Sequence, residues 1–156
     1  MILRSIAAAA AGLLLAATPA HAVHNEPAQH VHTVTTVPAE GSFRCGDLTL
    51  TVDGGTETEI FDGVLKDGVA RIRITRESDR VTLKGSDGRS YRASGHTRAR
   101  FVLVDPDFEN PVWGHELIVV KFRTASHRPV GYLREEIRIR HGVETDVVSG
   151  PCDFVE

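Results

Sequence analysis

From Phe43 onward the chain alternates apolar and polar positions with a period of two. Ile72 and Ile74 oppose Arg71, Arg73 and Thr75, and Ile118, Val120 and Phe122 oppose Lys121 and Arg123. Leu133, Ile137 and Ile139 oppose Arg134, Glu136, Arg138 and Arg140. Such alternation marks strands with one buried and one wet face. Over residues 43–156, 20 Val and Ile stand against seven Leu and four Ala, and β-branching favours strands over helices. Turn signals recur: Asp53-Gly54-Gly55, Asp62-Gly63, Asp67-Gly68, Asp87-Gly88, Pro129 to Gly131 and His141-Gly142. Asp-Gly supplies the positive φ that tight hairpins need. The pattern predicts strands at roughly 43–52, 57–65, 68–76, 79–84, 89–104, 112–125, 131–140 and 143–149. The fold class is therefore all-β, an antiparallel meander of about eight strands. A closed or nearly closed barrel removes exposed edges and is the favoured form, with a β-sandwich as the alternative.

The first 42 residues read differently. Arg4 precedes an apolar run from Ile6 to Ala17, and Ala20-His21-Ala22 fits the small-x-small cleavage rule. Residues 1–22 are expected to be a signal peptide, residues 23–42 a flexible leader, with an edge strand over Val31 to Val37 as the alternative, and residues 43–156 the β-barrel domain. No other segment holds the roughly 18 consecutive apolar residues of a membrane span. The expected location is secreted, and no Cys near the cleavage point offers a lipid anchor. In an oxidising compartment Cys45 and Cys152 are expected to pair, closing nearly the whole domain into one loop.

The 156-residue chain carries a net charge of −3, and loss of Arg4 makes it more acidic still, so a nucleic-acid partner is not expected. The cationic side chains are mostly Arg. Arg71, Arg73, Arg92, Arg98, Arg100, Arg134, Arg138 and Arg140 all fall on the wet face. Cross-strand pairing with Glu77, Glu136, Glu144 and Asp146 is the plain reading of these arginines, and a grip on an anionic polymer is the functional one.

Opening on Phe43-Arg44-Cys45, with Asp-Gly hairpins, a long Gly131 to Arg140 strand and a Gly150-Pro151-Cys152 close, the chain resembles small exported β-barrel proteins of GC-rich bacteria. In outline these are lipocalin-like and allene-oxide-cyclase-like. The resemblance implies a barrel with a lumen but carries over no functional residue. No Gly-x-Trp follows the leader, and the only Trp is Trp113.

No nucleophile elbow, His-Glu-x-x-His, phosphate loop or dinucleotide fingerprint occurs. Neither a cofactor nor a metal is expected. His24, His30 and His32 form only a weak His-x-His signal, and Asp105, Asp107 and Glu109 lack EF-hand spacing. The small residues Ala93, Gly95, Thr97 and Ala99 share the inward face of one strand, which suggests an open lumen. Glu116 and Glu135 share parity with inward apolar residues. Each therefore sits at a barrel mouth, or a bulge near Gly114 or Gly131 turns it outward. The candidate pocket comprises Tyr91, Phe101, Trp113, Glu116, Phe122, Leu133, Glu135 and Ile137, with Trp113 near a rim. The expected function is binding of a small apolar ligand by a monomer. The alternatives are a secreted inhibitor or envelope-associated partner protein acting through its surface, and a cofactor-free isomerase or cyclase using Glu135 or Glu116.

Overall fold

The computed structural model describes residues 27–105 and 110–155. The expected signal at 1–22, together with His24, Asp107 and Glu109, lies outside the described residues. Ten strands form one antiparallel sheet: β1 (Gln29–Pro38), β2 (Ser42–Cys45), β3 (Leu48–Gly54), β4 (Thr56–Lys66), β5 (Val69–Gly85), β6 (Ser90–Val104), β7 (Trp113–Thr124), β8 (Pro129–Arg140), β9 (Val143–Ser149) and β10 (Cys152–Phe154). Among the described residues there is no helix, and so none long and apolar enough to cross a membrane.

The sheet runs β10-β2-β3-β5-β6-β7-β8-β9, and β1 and β4 branch from β5. This branching follows from β5, which is one strand of 17 residues where the sequence pattern predicts two. Its first part pairs with β4 up to Ser78, and its last part pairs with β3 from Thr82. The register shifts between Ser78 and Val81, where Arg80 takes a φ of 63°. The extra residues of this bulge let one strand change partners without ending. Conversely, the predicted strand at 43–52 is a hairpin, β2–β3, folded at Gly46 with a φ of 61°.

Within the segment expected to be a leader, residues 29–38 form an edge strand in register with β4 over its full length. Its Val31 packs beneath the core, which ties it down.

The sheet is strongly curled. Phe43 on β2 and Phe122 on β7 lie four strands apart in sheet order, about 19 Å in a flat sheet at the usual strand spacing. Their ring centroids are 4.8 Å apart. Likewise Phe61 of β4 shares a cluster with Ile137 and Ile139 of β8. The curl forms two cores on the same concave face. One contains Phe61, Ile72, Ile74, Ala99, Phe101 and Ile139; the other contains Phe43, Leu50, Leu83, Tyr91, Phe122 and Leu133. The hydrogen-bonded ladder is not closed, because its end strands β9 and β10 pair only with β8 and β2.

The two sheet ends meet through the chain itself. Only Gly150 and Pro151 separate β9 from β10. Cys152 then stands directly opposite Cys45, and the two form a disulfide with a Cα–Cα distance of 4.1 Å and a sequence separation of 107. Cys152 is fully buried beside β8. A β-carbon added at Gly131 would lie 2.5 Å from its sulfur, so the absence of a side chain on β8 lets the bridge sit there.

A loop of 107 residues corresponds to roughly 4–5 kcal/mol on the chain-entropy account. Reduction, or Cys45→Ser with Cys152→Ser, should lower the melting temperature by several degrees or more in calorimetry. Free-thiol titration of the native protein should give none. The interior at Ala99 is filled, not open: the residue is 2 % exposed and packed in the first core. Ala99→Leu should therefore lose about 1–3 kcal/mol in denaturant unfolding through overpacking.

Candidate functional site

A polar belt separates the two cores. On the concave face one transverse row reads Thr35, Glu59, Arg76, Thr97, Ile118, Glu135 and Val148 across β1, β4, β5, β6, β7, β8 and β9. The adjoining rows add Glu57 and Ser78 on one side, and Glu116 and Asp146 on the other. The parity that buries Ile72 and Ile74 thus also turns Arg76 inward. Its Nε donates to Glu59 Oε2 at 2.5 Å, both side chains being about three-quarters buried.

Glu116 and Glu135 both face inward and are each 6 % exposed. No register shift reverses them, since the irregularity in β7–β8 falls between Phe122 and Arg123. Glu135 stands diagonal to Asp146 and to Glu116, because Glu116 pairs with Ile137 and Ile137 with Asp146. Diagonal neighbours are near enough for long side chains to interact. Burial first, then the negative charges of Asp146 and Glu116, push the Glu135 carboxyl up to about 7. Its Oε2 is buried with no hydrogen-bond partner. Burial likewise raises Glu116 and Glu57, each partly offset by Arg76. A carboxyl that changes charge near neutral pH is suited to proton transfer or to binding a cation.

A cleft of about 250 Å³ opens on this belt. Glu57, Arg76, Ser78, Thr97 and Glu116 supply its polar wall, and Phe43, Ile118, Val120 and Phe154 its apolar wall. Gly95 also lines it, so the run of small residues makes room at Gly95 and Thr97, while Ala93 and Ala99 are packed in the cores.

Of the residues expected to form a pocket, only Glu116 lines this cleft. Phe101 and Ile137 fill the first core; Tyr91, Phe122 and Leu133 fill the second. The Tyr91 hydroxyl donates to Asp87 Oδ2 at 2.7 Å and so anchors the β5–β6 turn. Glu135 belongs to the belt but not to the lining. Trp113 is on the convex face, 43 % exposed, between Val102 and Arg140. Sequence reasoning missed Arg76, Glu57 and Glu59. The signal was present in their parity with Ile74 and Phe61, but a charged residue at an apolar parity position reads as a strand end.

Among the described residues no three His, Cys, Asp or Glu side chains are placed to hold a metal ion. His32 instead lies 2.6 Å from Asp62, Nδ1 to Oδ1.

Because the folded state holds the Glu135 proton more tightly than the unfolded chain, its stabilising contribution is complete below about pH 4.5 and lost as pH rises through about 7. The loss is on the order of 3 kcal/mol at most. Glu135→Gln should therefore melt higher than wild type at pH 8 and equal it near pH 4. The difference between the two proteins isolates this group from Asp87 and Glu136, which are shifted downward and act in the opposite sense.

No known protein family, no curated protein and no solved structure matches the chain.

Proposed function

We propose that this protein is a small-ligand-binding module: an incompletely closed, lipocalin-like barrel, secreted and monomeric, whose cleft takes a compact amphipathic molecule. The supporting observation is the two-sided lining of that cleft, with Phe43, Ile118, Val120 and Phe154 facing Glu57 and Glu116. Its volume is below the roughly 300–1,000 Å³ of drug-sized pockets, so the ligand is small. An apolar body packs on the aromatic and branched side chains, which agrees with the apolar ligand expected from sequence. The polar end meets carboxylates, while the one guanidinium in the lining is bound to Glu59. A protonated amine fits this balance, since Arg76 only partly offsets the burial that raises the half-buried Glu57 and the buried Glu116. The Cys45–Cys152 bond is consistent with an oxidising, extracellular setting.

Calorimetric titration with an arylalkylamine, and with the alcohol of the same shape, tests this reading. The amine should bind at least tenfold more tightly. Its affinity should fall as pH drops, because protons compete for the raised carboxyls. Glu116→Gln should remove most of the preference for the amine and leave the alcohol nearly unchanged. Equal affinity for both compounds, or no binding of either, would overturn it.

A further inference from the structure

The convex face carries an arrangement that neither the cores nor the cleft uses. Arg73 on β5 stands directly opposite Arg100 on β6; Arg100 stands opposite His115 on β7; and His115 stands opposite Arg138 on β8. Arg98 flanks this row on one side, and Arg71 and Arg140 flank it on the other. All six arginines are exposed. Like charges directly opposite in an antiparallel pair destabilise a sheet.

The acids beside the row on this face are, among the described residues, Glu136, Asp62 and Glu77, the last diagonal to Arg98 and in no ion pair with it. Glu136 serves Arg138 at 2.6 Å, His115 at 3.0 Å and Arg134 at 3.3 Å. Asp62, opposite Arg73, is engaged by His32. Glu144 and Asp146, expected to pair with these arginines, share the concave-face parity of Ile139 and Ile137 and stand opposite them. Among the described residues Arg71, Arg73, Arg98, Arg100 and Arg140 make no ion pair. A chain of net charge −3 thus concentrates positive charge on one sheet face. At the start of β7, between Val102 and Arg140 and next to the row, Trp113 is 43 % exposed.

We propose that this face binds an anionic polysaccharide, one bearing a carboxylate or sulfate on successive sugars. Neighbouring strands are about 4.8 Å apart, so Arg73 and Arg100 stand one strand spacing apart and Arg138 two spacings further on, the row spanning about 14 Å. One strand spacing is close to that of charges carried one to a sugar ring along a linear glycan. Guanidinium forks match carboxylate and sulfate oxygens bidentately. The indole gives one sugar ring an apolar platform. A single-stranded nucleic acid is less well served, because successive bases need successive aromatic platforms; among the described residues Trp113 flanks the row, and Tyr132, the other exposed aromatic on this face, stands six residues along β8 from Arg138. The proposal is independent of the cleft.

The test is titration of the intact protein with a size-defined heparin oligosaccharide, against an oligothymidylate of equal charge and against vesicles of anionic lipid. The oligosaccharide should bind most tightly, and more weakly as salt rises, because screening shortens the reach of exposed charges. Arg100→Glu should weaken binding at least tenfold while its melting temperature holds or rises, since a carboxylate then faces Arg73 and His115. Arg140→Glu should lose several-fold, as should Trp113→Ala, the latter with an unchanged salt dependence. Arg44→Glu, on β2 away from the row, should stay within about twofold of wild type. Absence of oligosaccharide binding, equal loss in Arg44→Glu and Arg100→Glu, or tighter binding of the oligonucleotide or the vesicles would each overturn the proposal.

Discussion

Phe43 and Phe122 pack ring on ring although four strand positions separate them in the sheet. That contact expresses the constraint on which the rest depends. A single antiparallel sheet with no helix among the described residues to cover it must bury its apolar face against itself. Only curling does this. Curling in turn requires β5 to change partners at a bulge and the β9–β10 link to bring the sheet ends together. The Cys45–Cys152 bond holds the second of these junctions, with Gly131 making the space beside it.

Curling also sorts charge by curvature. On the concave side, side chains from distant strands converge, so a carboxylate there is desolvated and close to others. Glu135 rises to about 7 for that reason, and Glu57 and Glu116 are raised in the same direction. On the convex side, side chains splay into water, where high dielectric weakens repulsion enough for Arg73 and Arg100 to stand opposite each other. Carboxylates gathered around Arg76 inside, and arginines gathered around Glu136 outside, give one small sheet two faces of different chemistry. The polar belt has a further consequence: it divides the core in two, and the cleft opens where neither apolar cluster extends.

Much of the fold was legible because it follows from local rules. A period of two, β-branched composition and Asp-Gly turns mark strands wherever they occur, and β6 to β9 match their predicted positions closely. The errors share one cause. A hairpin at Gly46 and a bulge at Arg80 both look like interruptions in a pattern, and the pattern alone does not say whether the chain turns back or merely kinks. For β1, a strand with nearly every side chain exposed, the sequence offered an edge strand only as the alternative to a leader, and β4 with its ten register partners decides for the strand. For the site, parity gave Glu116 and Glu135 the inward face but left open a bulge turning them outward, and the unbroken register at both residues decides it. Parity could not say that Tyr91, Phe101, Phe122, Leu133 and Ile137 would fill the interior, because that depends on which strands face one another across the curl.

The sequence by itself determined the all-β class, the antiparallel order of the later strands, the pairing of the two cysteines and the face each alternating residue takes. Each follows from backbone geometry or composition over short stretches. Tertiary structure alone decided that β5 serves two partners, that Arg76, Glu57 and Glu59 join Glu116 and Glu135 in one belt, and that arginines from three strands align into a row. These depend on register, and register is set by the sum of contacts across the whole curled sheet; a shift of one residue in any ladder would turn every side chain of that strand to the other face.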